Sequence, residues 1–69
     1  MPEIIEHHDD VVMVRMTELD YVRIGAALRE LLAEMEDAEL SARVGASRAE
    51  VSELCRSWVQ VGRDHGIEE

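Results

Sequence analysis

Apolar positions in the middle of the chain fall at Tyr21, Ile24, Leu28, Leu31 and Met35, alternating steps of three and four, with Leu32 widening the stripe. Arg23, Glu30 and Glu34 lie off it. That period marks an amphipathic helix. Its start is signposted by Thr17, whose hydroxyl can cap the backbone around Asp20, with Met16 and Tyr21 flanking the cap as an apolar pair. Upstream, residues 11–16 read VVMVRM, a short β-branched and apolar run that predicts a strand. A lone strand leaves its backbone groups unmet, so it should pair with Glu3–Glu6 across a turn at His7–Asp10, or with the same strand of a second subunit.

Beyond Met35 the pattern shortens. Glu34, Glu36 and Asp37 crowd the helix end, where the macrodipole disfavours negative charge, so Asp37 serves better as the cap of a second helix over Ala38–Val44 that stops at Gly45. Ser47 and Glu50 then form an S-x-x-E capping box, with Ala46 and Val51 as a weak staple, opening a third helix. Its predicted apolar face is Val51, Leu54, Cys55, Trp58 and Val61, with Gly62 as the stop and 63–69 as a frayed tail. The expected fold is a single small, mainly α domain spanning 1–69. Residues 1–16 form an extended arm, short strand or hairpin, and three helices with a tight corner between the last two follow.

Size changes the picture by asking what holds this together. A chain of 69 residues buries only about 60% of the surface it exposes when unfolded. It has one cysteine, no ligand set for a structural metal, and two aromatic residues, Tyr21 and Trp58. Self-association is the expected remaining support, as a homodimer using Val12, Val14, Met16, Tyr21 and Leu28. Cys55 on a helical apolar face points to a reducing compartment and hence the cytoplasm. The start, MPEIIEHHDD, lacks a basic region and a long apolar run, so neither a signal peptide nor a membrane span is expected.

The stretch SARVGASRAEVSEL resembles a helix-turn-helix motif. Leu40, Val44, Ala46, Val51 and Leu54 occupy its apolar slots, Ser41 is the small residue four before the turn, and Gly45 is the turn glycine. The resemblance implies a helical corner whose outer face, Ser47, Arg48, Ser52 and Arg56, would meet DNA. Charge argues against that use. All seven basic residues are arginine, the formal net charge is -9, and residues 1–37 hold three arginines against ten acids. Nonspecific DNA affinity comes mainly from neutralised phosphates, so its usual electrostatic source is missing. A second pattern, Ala27, Leu28, Glu30, Glu39, Arg43, Gly45, Ser47, Arg48, Glu50 and Leu54, is similar to small acidic bacterial proteins of unassigned function. It supports the helical layout and implies no activity.

Catalysis has weak candidates. His7-His8-Asp9-Asp10 packs four possible metal ligands together, yet adjacent residues on an extended chain point to opposite sides. Asp64-His65 needs Ser52 or Ser57 nearby, and Cys55 sits on an apolar face three residues from Trp58, as an inert packed thiol does. No phosphate loop or dinucleotide fingerprint is present, so no cofactor is expected. What remains is binding. Glu3, Glu6, Asp9 and Asp10, then Glu34, Glu36, Asp37 and Glu39, form an acidic surface suited to a basic protein such as a nuclease or toxin. The expectation is a noncatalytic protein that binds and masks such a partner, as inhibitors, immunity proteins, antitoxins and anti-defence proteins do. The alternatives are a helix-turn-helix transcriptional regulator and an accessory or structural subunit of a larger assembly.

Overall fold

The computed structural model describes residues 2–67. The order is a hairpin of β1 (Glu3–His8) and β2 (Val11–Arg15), then α1 (Glu18–Glu34), α2 (Asp37–Val44) and α3 (Arg48–Asp64). The strands pair antiparallel within the chain. The turn is shorter than the sequence predicts: His7 and His8 continue β1, opposite Val12 and Val11, and only Asp9 and Asp10 reverse the chain. Asp9 takes φ 51, a left-handed conformation that aspartate tolerates better than most residues. A bulge at Ile5, between the Ile4–Val14 and Glu6–Met13 pairs, shifts the register by one and brings the histidines into the strand.

The helix starts follow the local chemistry. Asp20 N donates to Thr17 Oγ1 at 3.1 Å, and Ser47 with Glu50 closes the full capping box, Glu50 N to Ser47 Oγ at 3.2 Å and Ser47 N to Glu50 Oε1 at 3.0 Å. The Ser47 backbone and hydroxyl donors hold the Glu50 carboxyl below its ordinary 4.5. A depressed folded-state value contributes stability above the unfolded value, and that contribution fades as pH falls through the folded one. Thermal melts between about pH 5 and 3 should therefore show a smaller stability loss for Glu50→Gln than for the wild type, because Gln keeps the box without titrating.

Gly45 closes α2 at φ 77, its N–H bonded to Ser41 O, as the helical corner requires. Two other ends differ from expectation. Glu36, not Asp37, is the N-cap of α2 and makes no side-chain cap bond; Asp37 is already helical and its carboxylate is taken by Arg48. Gly62 is not a stop. α3 runs on to Asp64 and ends at Gly66, φ 78, in a Schellman closure: Ile67 N to Gly62 O at 2.8 Å and Gly66 N to Arg63 O at 3.0 Å. The frayed tail expected from residue 63 is thus ordered through 67, and Glu68 and Glu69 lie outside the described residues.

Gly62 instead serves packing. It is buried, and a Cβ there would sit 2.7 Å from Tyr21 Cε1 and 2.8 Å from Tyr21 Oη. The ring has little room to yield: it stacks on Trp58 with centroids 4.7 Å apart and 12° between planes, and its hydroxyl donates to Trp58 O. Gly62→Ala should gain about 1 kcal/mol of helix propensity but lose more by overpacking, a net destabilisation of about 1–2 kcal/mol in urea unfolding. In a Tyr21→Ala background the same change should stabilise. A stabilising effect in the wild type would show the ring to be mobile.

The core is small. Leu40 is fully buried, Val51 and Cys55 nearly so, and Gly25 is the one buried residue of α1. The buried side of α3 is centred on Val51, Cys55 and Gly62 and turned toward Val59, leaving Leu54 and Val61 more than half exposed rather than on the core face. α3 packs on α1 and on α2, while the hairpin strands pack on each other and not comparably on any helix. Six of the ten exposed large apolar residues, Ile4, Ile5 and Val11–Val14, lie in that hairpin.

Candidate functional site

The cross-strand pairs sort the hairpin side chains onto two faces. One carries Ile4, Val14, Val12 and His7; the other carries Glu3–Arg15, Glu6–Met13 and His8–Val11. The second face is laced by polar contacts, Arg15 Nη1 to Glu3 Oε1 at 3.1 Å and His8 Nε2 to Glu6 Oε1 at 2.6 Å. The first carries no carboxylate or arginine, and His7 Nε2 there lies 3.1 Å from Asp9 O. His7 and His8 therefore point to opposite faces, and among the described residues no group of three His, Cys, Asp or Glu converges on a metal position.

The acidic residues singled out in the sequence separate into two places. Glu3, Glu6, Asp9 and Asp10 belong to the hairpin, Glu34, Glu36, Asp37 and Glu39 to the α1–α2 junction. Some are engaged within the chain: Glu3 with Arg15, Glu6 with His8, Glu39 with Arg43 at 3.7 Å and Asp37 with Arg48 at 2.5 Å. Among the described residues, Asp9, Asp10, Glu34 and Glu36 are exposed and in no ion pair. Glu30, which the sequence reading left aside, joins them. It lines a shallow groove of about 450 Å³ on α1 with Ala27, Leu31, Glu34 and Met35. A sequence signal is present, since these residues recur at steps of three and four along the helix, with Leu31 and Met35 on its apolar stripe and Glu30 and Glu34 beside it.

Arg48 is the residue whose role changes most. Its guanidinium donates to Leu32 O at 2.7 Å, to Met35 O and to the Asp37 carboxylate. It thereby satisfies carbonyls at the C-terminus of α1, a helix with no basic residue in its own last turn, and ties α3 to the start of α2. The planar fork of arginine suits this three-way bond. The other residues placed toward DNA by the helix-turn-helix resemblance are engaged too: Ser47 Oγ caps α3, Ser52 is half-buried, and Arg56 pairs with Glu53 at 3.0 Å.

Of the residues expected to join two subunits, Val12 and Val14 lie on the open apolar hairpin face, Met16 and Leu28 are half-buried, and Tyr21 is held inside the chain against Trp58. Cys55 is a free, buried thiol. His65 ends α3, next to Asp64, whose carboxylate accepts from Gln60 Nε2 at 2.9 Å. Among the described residues no helix is long and apolar enough to cross a membrane.

No family model, curated protein or solved structure matches this chain.

Proposed function

We propose that this protein is a small noncatalytic interaction protein that binds and masks a basic protein partner, such as a nuclease or toxin acting on nucleic acid. One observation carries the reading: at least four of the seven arginines are bonded to acids of the same chain, while unpaired carboxylates remain exposed at the hairpin tip and along the end of α1. The outward field of residues 1–37 is therefore acidic, which steers association toward positive surfaces and away from phosphates. Arg48, the best candidate for a base contact, is turned inward. The test is retention of a basic protein from the native host on the immobilised chain, followed by assay of that protein's own activity with the acidic protein added. Inhibition reversed by salt supports masking; salt-dependent duplex DNA binding with no effect on any retained protein refutes it.

The same reading includes a homodimer. A two-stranded hairpin is at best marginally stable in water without a third strand or a covering element, and this one presents Ile4, Val12 and Val14 uncovered on a face without acids or arginines. Two such faces can meet without burying any of the chain's excess negative charge. Sedimentation should then show a wild-type dimer at micromolar concentration and a monomer for Val12→Lys/Val14→Lys. Helical circular dichroism should persist in the variant, because the hairpin does not support the helices.

A further inference from the structure

The groove on α1 is apolar along its floor, and its two polar members are carboxylates. Ala27, Leu31 and Met35 stand at successive steps of four, with the alanine leaving a dip in the ridge; Glu30 and Glu34 flank them, also four apart. A like-charge pair at that spacing weakens a helix, and acids near a helix C-terminus are disfavoured by the macrodipole. Arg48 compensates the backbone end of α1 but makes no bond to either glutamate. Among the described residues neither glutamate is in an ion pair. Both local penalties are relieved by cations brought from outside.

We propose that this groove is the docking site for an amphipathic helix of the partner, one whose apolar ridge is flanked by arginine or lysine. The inference rests on the reading of the protein as a binder of basic partners and names the surface and the partner chemistry. A helix laid on the Ala27–Leu31–Met35 ridge at ordinary packing distance inserts a large side chain at the Ala27 dip, and its flanking cations reach Glu30 and Glu34. A second copy of the chain is the wrong occupant. Two identical α1 faces would bring Glu30 and Glu34 of each against those of the other, and like charges across an interface are strongly unfavourable. The hairpin face, free of acids and arginines, is the self-complementary surface instead.

The experiment titrates the full-length protein, by fluorescence anisotropy at low and high salt, with two labelled synthetic helical peptides. Both carry leucine at i, i+3, i+4 and i+7; one is flanked by arginine and lysine, the other by glutamate. The basic peptide should bind, roughly tenfold or more tighter than the acidic one, with affinity falling as salt rises. Ala27→Gln, at an exposed helical position that accepts a larger side chain without refolding, should fill the dip and weaken binding roughly tenfold with little change in the salt slope. Glu30→Gln/Glu34→Gln should weaken it several-fold and remove most of that slope. Equal affinity for the two peptides, or no effect of Ala27→Gln, overturns the proposal. So does a loss of self-association in Ala27→Gln, which would make a second copy the occupant. A natural basic partner retained equally by wild type and Ala27→Gln refutes the groove and leaves masking intact. Groove-dependent peptide binding with no basic protein retained from the host supports the groove's ligand chemistry and refutes masking.

Discussion

Arg48→Ala should lower stability by about 2–3 kcal/mol, in the absence of any nucleic acid or partner. The estimate comes from the two carbonyl bonds, to Leu32 O and Met35 O, each lying at a partly buried helix end where the acceptor has no intrahelical donor. The Asp37 pair adds little, because Asp37 is 81% exposed and surface pairs contribute about 0–1 kcal/mol. For a domain of this size the expected fall in melting temperature is roughly 10–20 °C. Small single cores rarely supply more than about 3–5 kcal/mol in total, so the variant should be partly unfolded at 37 °C. Arg48→Lys keeps the charge but not the fork, and should recover only part of the loss; Asp37→Asn should cost under about 1 kcal/mol. A DNA-reading arginine would behave the opposite way: Arg48→Ala and Arg48→Lys would leave stability unchanged, and Arg48→Ala would lower the salt slope of DNA binding by about one.

That contrast also shows where the sequence was legible. The Thr17 cap, the Ser47–Glu50 box and the Gly45 turn are decided within four residues, so their chemistry is written in adjacent letters and the structure contains all three. The hairpin followed by three helices came from the same kind of local pattern. Arg48 acts across 11 to 16 residues and Gly62 meets Tyr21 across 41, distances at which single-chain periodicity carries no signal. Gly62 was read as a stop because glycine ends helices more often than it packs inside them. Here a bulky ring from another helix needs the space, and the stop is Gly66, four residues later. Helical spacing places Leu54 and Val61 on the apolar face of α3, yet both are more than half exposed. The inward face of α3 instead centres on Val51, Cys55 and Gly62. At the candidate site the acids were visible but their pairing was not. Glu3 reads as surface charge and Asp37 as surface charge or a helix cap, yet each pairs with an arginine, whereas Glu30, in no ion pair among the described residues, lies at the groove.

Trp58→Ala should be the most damaging single change on α3, costing about 3 kcal/mol, near the lower end of the range for such truncations because the indole is only half-buried. The residue joins α1 to α3 in three ways. Its ring stacks on Tyr21, its Nε1 donates to Tyr21 O at 3.0 Å, and its carbonyl accepts the Tyr21 hydroxyl. Stacked aromatic pairs add about 0.5–1.5 kcal/mol beyond the area they bury. The same two helices also meet where Gly62 packs under Tyr21 and where Arg48 bonds Leu32 O and Met35 O. Removing the indole thus loosens the Tyr21 end of α1 from α3. Trp58→Phe keeps a ring and loses one donor, and should cost about 1 kcal/mol. Because Trp58 is the chain's only tryptophan, its fluorescence reports this contact directly. Wild-type urea unfolding followed by that fluorescence and by helical circular dichroism should superimpose, as one cooperative transition requires. A fluorescence transition well before the loss of helix would mean that α1 detaches while α2 and α3 hold together. The clasp would then be a separable joint, and the stability assigned to Trp58→Ala would belong to docking of α1 alone.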